Sequence, residues 1–302
     1  MLHRLKKQLV GEEIMVKCIA IDMDGTLLTA TQQITEENRK AIQKAQAEGV
    51  EVVIATGRSY FEANFVLEEA GIHTPMICVN GAEVRSIDKE VIASNPLDKS
   101  TARTAGMALL QNGVYFEVYT NKGTYTIDAD KGVSIIVDIF MSGNPEADVD
   151  EVMKAAEERF TKGLVQKVDS YDILFDDTEH QIYKLLAFSF DAERLAAAKE
   201  ALVPLEDEGL VISSSGEENL ELTSKQAQKG VALEAFLEKS GTGIQDAMAI
   251  GDNYNDLSMF KRVGRSVAMG NADEIIKAQC DFVTLTNEES GVAKAILDAL
   301  KA

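Results

Sequence analysis

Four apolar runs in this chain each stop at polar residues of a restricted kind. Asp22 and Asp24 close the run from Val16 to Ile21 and are followed by Gly25-Thr26. Thr56 closes Val50 to Ala55, Asn80 follows Met76 to Val79, and Asp252, Asn255 and Asp256 follow Ala247 to Ile250. Asp, Asn, Thr and Gly are ordinary turn and cap residues, so any one of these endings alone says little. Their recurrence at the ends of four separate runs is what points to a site. Carboxylates gathered in a dry crevice repel one another and take up protons unless a cation neutralises them. Oxygen ligands without His or Cys suit a hard cation, and magnesium characteristically takes one or two carboxylates together with waters and a substrate phosphate. The three histidines, His3, His73 and His180, stand in no plausible relation to the cluster, and no Gly-x-Ser-x-Gly elbow is present. This disfavours zinc hydrolysis and the serine and cysteine triads.

The elements that must carry these residues can be read from periodicity and turn signals. Val16 to Ile21 is rich in Ile, Val and Cys, as in a strand buried on both faces in the middle of a parallel sheet. Thr35 caps a helix with Glu36 and Glu37 in its first turn, Ile34, Ile42 and Ala45 give it an apolar stripe, and Gly49 ends it. Val50 to Ala55 is the next strand, so the unit is βαβ with parallel strands. A helix over 59–70 and a strand over 76–79 follow. From 83 to 222 short strands alternate with helices near 99–110, 148–160 and 192–202, the order of an α+β insertion. From Lys225 the first pattern resumes and continues to the last helix, 291–300. The predicted fold is α/β: a Rossmann-like parallel-sheet core built from 15–82 and 223–302, with an inserted α+β domain over 83–222. Ligands in such sheets bind at the carboxyl ends of the strands. Residues 1–14 read as a dispensable extension, and a chain starting at Met15 is expected to fold and act.

Composition narrows the function from outside. The formal net charge is -20, and no basic patch offsets it, so nucleic acid and anionic membrane are not expected partners. Among 302 residues no apolar run approaches the roughly 20 needed to span a bilayer, and no signal-peptide core follows the early basic residues, so a cytoplasmic place is expected. Cys18, Cys78 and Cys280 lie in or beside apolar stretches and form no Cys-x-x-Cys pair, as expected of buried free thiols.

Taken in order, Asp22-Met23-Asp24-Gly25-Thr26, Thr56 in Ala-Thr-Gly-Arg, Lys229 before Gly230, and Gly251-Asp252-Asn253-Tyr254-Asn255-Asp256 resemble the four motifs of the haloacid dehalogenase superfamily. The long insertion and Val267-Ala268-Met269-Gly270-Asn271-Ala272 resemble its Cof-type phosphatases, which carry a type IIB cap. The likeness covers 15–300; Arg265 and Cys280 depart from it, where small or apolar residues are more usual.

That resemblance implies a magnesium-dependent phosphatase acting through an aspartyl-phosphate. Asp22 is then the nucleophile, and Asp24 the acid that protonates the leaving alcohol and the base that activates water. Magnesium is held by Asp22, Asp252 and the backbone carbonyl of Asp24. The phosphoryl oxygens are held by Thr56, Gly57, the backbone at Met23, Lys229 and Asn255. Lys229, which by itself reads as an exposed lysine at a helix start, pairs with Asp22. Asp256 orients Lys229 or a metal-bound water, caps the following helix, or does both, while Arg58 either touches substrate or makes a surface ion pair. The insertion acts as a cap that selects the leaving group. The expected substrate is a small soluble phosphate monoester, foremost a sugar phosphate. A nucleotide or phosphorylated cofactor such as FMN or pyridoxal phosphate, a mutase reaction and a non-catalytic sensor are the alternatives. A monomer or weak homodimer is expected.

Overall fold

The computed structural model describes residues 16–143, 148–214 and 216–301, and the extension read over 1–14 lies outside them. Among the described residues the chain forms two compact units: 16–57 with 65–92 and 228–301, and 58–64 with the described part of 93–227. The sequence pattern changes at 82/83 and 222/223.

In chain order the first sheet opens with β1 (Cys18–Ile21), β2 (Glu51–Ala55), β3 (Met76–Cys78), β4 (Glu83–Arg85) and β5 (Val91–Ser94), the last crossing the boundary between the units. The second unit contributes β6 (Tyr115–Thr120), β7 (Gly123–Thr126), β8 (Val165–Lys167), β9 (Ile182–Phe188), β10 (Leu210–Ser213) and β11 (Asn219–Ser224). The chain then returns with β12 (Ala247–Gly251), β13 (Arg265–Ala268) and β14 (Phe282–Val283).

The first sheet has the order β14-β13-β12-β1-β2-β3-β4-β5. All four residues of β1 are fully buried, because the strand is flanked on both edges and covered on both faces. Its neighbours β2 and β12 are both parallel to it, with Ile21 opposite Ile54 on one side and Ile250 on the other. This register brings the residues after β1, β2 and β12 to one end of the sheet, at the point where the strand order turns from one direction to the other. Thr35 accepts a hydrogen bond from the Asn38 backbone N–H and so caps the helix Glu36–Ala47, as its sequence signals. The one marked departure is after β3. There β4 returns antiparallel, Cys78 opposite Glu83, and β5 lies beyond it, so residues that read as the start of the insertion extend the first sheet.

The second unit is a sheet in the order β10-β11-β9-β6-β7-β8, antiparallel apart from the β7–β8 pair. Alternation along its strands separates two faces. Phe116, Val118, Leu185, Ala187, Leu220 and Leu222 pack with Ala105 and Leu109 of the helix Lys99–Gln111 and with Ala198 and Leu202 of the helix Ala192–Leu202. Alternate residues are polar and still buried: Glu117 pairs with Arg159, and Lys184 stands 3.6 Å from Glu221. Cys18 and Cys78 are buried, Cys280 half-buried, and all three are free thiols. Among the described residues no helix is long and apolar enough to cross a membrane.

Candidate active site

Asp22 follows β1 directly, and its backbone N–H still donates to the carbonyl of Ile250 on β12 at 3.0 Å, as if the sheet ran one residue further. Its side chain is therefore held at the sheet end, 4% exposed. Beyond it the chain makes a wide turn, Met23–Leu27, in which Gly25 takes φ 74°. A Cβ at Gly25 would stand 2.4 Å from Asp252 Oδ2, so both the positive φ and the close approach require glycine. Thr26 Oγ1 donates to Asp252 Oδ1 at 2.8 Å and fixes that carboxylate from the same turn.

Lys229 is the centre of the arrangement. Its side chain is fully buried, and its ammonium donates to Asp22 Oδ1 at 2.6 Å and to Asp256 Oδ1 at 2.7 Å. Gly230 explains how a lysine at the start of a polar stretch becomes buried. A Cβ there would lie 1.9 Å from the Ser258 carbonyl oxygen, so only glycine lets the helix Lys229–Ser240 approach so closely. Asp256 has its other oxygen, Oδ2, engaged by the backbone N–H groups of Asp252 and Asn253, each at 3.0 Å. It thus orients Lys229 and completes the capping box of the short turn that follows Asn253.

Asp22, Asp252 and Asp256 each offer an oxygen within 4.8 Å of the others, a group that could hold a metal ion. With both oxygens of Asp256 engaged, Asp22 and Asp252 are the members better placed as ligands. Burial pushes the Asp22 carboxyl well above its usual range; the Lys229 charge opposes the shift, and Asp256 and Asp252 add to it. Asp252 is pushed up to about 6, chiefly by burial, with Asp256 adding and the Thr26 hydrogen bond opposing. Lys229 moves up despite its burial, because Asp22 and Asp256 both favour its charged form.

The other residues read from the sequence are distributed around this centre. Met23 and Thr56 are fully buried; the Thr56 backbone N–H donates to Ile77 and its carbonyl accepts from Asn80. Gly57 and Arg58 are half-buried. Asp24 is exposed on the wide turn, outside the carboxylate group. Asn255 is exposed, and its amide donates to Asn80 Oδ1 at 3.1 Å. Val79 and Asn80 both have positive φ, 48° and 56°, and a β-branched residue there marks local strain beside the site. Thr26 has no sequence signal of its own beyond its place after Asp-x-Asp-Gly, which makes it the nearest hydroxyl to the turn.

Against this geometry, the family model for haloacid dehalogenase-like hydrolases matches residues 19–296. The chain belongs to that family. A curated relative, the phosphatase YwpJ of Bacillus subtilis (strain 168), is 38% identical to this hydrolase over 280 residues, covering 92% of this chain and 98% of the relative. The 5-amino-6-(5-phospho-D-ribitylamino)uracil phosphatase YwtE of the same organism is 37% identical over 279 residues, covering 92% and 96%. A solved haloacid dehalogenase-like hydrolase from B. subtilis superposes with a TM-score of 0.81 at 38% identity, covering 93% of this hydrolase and 99% of that chain.

Proposed function

We propose that this hydrolase removes phosphate from small soluble phosphate monoesters through an aspartyl-phosphate, with Asp22 as nucleophile. The observation that carries the reading is the Lys229 ammonium, fully buried and hydrogen-bonded to Asp22 and Asp256. A buried charge of that kind is costly unless its partners are fixed, and here they leave one carboxylate at the sheet end held in a single orientation. Asp22 attacks phosphorus while the bond to the leaving oxygen breaks, and Asp24 supplies the proton that oxygen needs. Asp24 then takes a proton from the water that hydrolyses the acyl-phosphate. Lys229, Thr56, Gly57, the Met23 backbone and Asn255 are assigned to the phosphoryl oxygens, where positioning and charge stabilisation count most.

The residues present fit magnesium. Three carboxylates face one ammonium, so when all three are ionised the centre is left with two uncompensated negative charges on an all-oxygen donor set. Asp22, Asp252 and the Asp24 backbone carbonyl would hold the ion. When bound, it supplies charge neutralisation between the nucleophile and the phosphate.

For the substrate, a primary phosphate on a sugar or sugar-alcohol chain is the class we favour. The relative YwtE acts, by its name, on a phosphoribitylamino compound, in which the phosphate sits on a sugar-alcohol chain. Selection of the leaving group is assigned to the insertion. The test is phosphate release from a panel of sugar phosphates, sugar-alcohol phosphates, nucleotides and phosphorylated cofactors, with magnesium and with chelator. Release that needs magnesium and is greatest on the polyol phosphates supports the reading. Release unaffected by chelator would contradict the metal assignment, and a preference for nucleotides the substrate assignment.

A further inference from the structure

The wide turn that carries Asp24 is tied down by side chains from outside the four motifs. Its own backbone bonds run from the Leu27 N–H to the Asp22 carbonyl at 3.2 Å and from the Leu28 N–H to the Met23 carbonyl at 2.9 Å. Three later carbonyls, those of Gly25, Leu27 and Leu28, each receive a side-chain amide, and each amide belongs to an asparagine. Asn271 donates to the Gly25 oxygen at 2.8 Å, Asn38 to the Leu27 oxygen at 3.4 Å, and Asn287 to the Leu28 oxygen at 2.9 Å. The set is interlocked, because Asn271 Oδ1 accepts the Asn287 backbone N–H at 3.0 Å and Asn38 Oδ1 accepts that of Ala293 at 2.9 Å. With a carbonyl on one side and an N–H on the other, the amides of Asn271 and Asn38 have only one satisfying orientation. The loop behind Asn271 is equally constrained. Gly270 donates to the Leu285 carbonyl at 2.9 Å, and a Cβ on Gly270 would stand 2.9 Å from both the Leu285 carbonyl carbon and the Thr286 nitrogen.

We infer that Asn271 is a positioning residue for Asp24, acting through the Gly25 carbonyl to hold the turn in the conformation in which Asp24 delivers its proton. Gly25 sits immediately after Asp24 and, at φ 74° and ψ 0°, has no Cβ to limit its own rotation. The hydrogen bond from Asn271 replaces that missing restraint from outside the turn. Asn38 and Asn287 fix the far end, so Asn271 is the member closest to the chemistry. Its side chain is exposed and fills no core space, so it can be altered without opening a cavity.

The inference rests on Asp24 being the general acid, and its test separates the two. Phenyl phosphate and p-nitrophenyl phosphate are nearly the same size, but p-nitrophenolate leaves without protonation and phenolate gains from it. kcat/KM reports the step that expels the leaving group and is measured on both for wild type, Asp24→Asn, Asn271→Asp and Asn271→Ser. Asn271→Asp keeps the shape and the acceptor towards Asn287 but loses the donor, and Asn271→Ser loses the bond without adding charge. A misplaced acid forfeits part of its usual 10²–10⁴-fold contribution, so both Asn271 variants should lose roughly tenfold on phenyl phosphate and less than about twofold on p-nitrophenyl phosphate. Asp24→Asn should show the same selectivity, more strongly. Equal losses on the two esters, no loss, or a selective loss in Asn271→Asp alone would overturn the positioning role while leaving the phosphatase reading intact. An Asp24→Asn variant without selectivity would overturn the acid assignment and this inference with it.

Discussion

Lys229→Met removes the ammonium and keeps a side chain of nearly the same length, so its effect isolates the charge. In the wild type that charge is fully buried and bonded at 2.6 and 2.7 Å to two carboxylates that are themselves almost entirely buried. Deleting one member of such a group leaves buried anions facing each other, which costs roughly 3–5 kcal/mol. At roughly 2–4 °C per kcal/mol for a protein of this size, the melting temperature should fall by some 6–20 °C at pH 8. The pH dependence follows from the shift. The Lys229 pKa is raised, so its contribution is complete below the unfolded-state value of about 10.4 and is lost only as pH rises through the still higher folded value. It is therefore constant between pH 5 and 9 in the wild type. In the variant Asp22 has lost the charge that opposed its upward shift, takes a proton more readily, and part of the repulsion disappears on acidification. The gap between wild type and variant should accordingly be widest near pH 8 and narrow towards pH 5, as read by thermal melting without added metal. Activity should fall by roughly 10²–10³ or more, the usual loss when a charge-stabilising donor is removed. A variant as stable as the wild type at pH 8, or a gap that does not narrow on acidification, would refute the description of this centre.

Two further outcomes follow from the same geometry. Gly25→Ala places a Cβ where Asp252 Oδ2 now lies 2.4 Å away and demands a positive φ of a residue that resists it, so magnesium affinity by calorimetry and kcat should both fall, by roughly 10² in kcat; a near-normal enzyme would mean that Asp252 has no fixed place. Asp252 is pushed up to about 6 from an unfolded value near 3.9, so the metal-free folded state binds the extra proton between those values and loses stability as pH rises through that window. Because the ion needs the carboxylate, the melting-temperature gain from added magnesium should be small at pH 5, grow through pH 6 and level off above about 7; a gain independent of pH would place the ion elsewhere.

What the sequence made legible was local. The strand ends carrying Asp22, Thr56 and Asp252 were readable because an apolar run, a polar stop and a glycine occur within a few residues, and parallel pairing then brings such ends together without further information. Thr35 as a helix cap is of the same kind. Less legible was whatever depends on distant partners. Lys229, at the end of Lys225-Gln226-Ala227-Gln228, has no neighbour in sequence that marks it as buried; the close approach permitted by Gly230 against Ser258 does that. The asparagines that hold the Gly25–Leu28 turn come from positions 38, 271 and 287, and each looks like an ordinary loop or helix residue until the turn is beside it. The hairpin of β10 and β11, which pairs Leu210 with Ser224, has little signal in the sequence because it is closed by a polar loop without a short Asn-Gly or Asp-Gly turn.

The central claim is that Asp22 becomes covalently phosphorylated. Wild-type protein mixed with a phosphate ester and magnesium, quenched in acid within the first turnover and digested, should yield one phosphoryl group on the peptide containing Asp22, labile to hydroxylamine and absent from Asp22→Asn. Phosphate released at the wild-type rate by Asp22→Asn, or label found on any other residue, would contradict it.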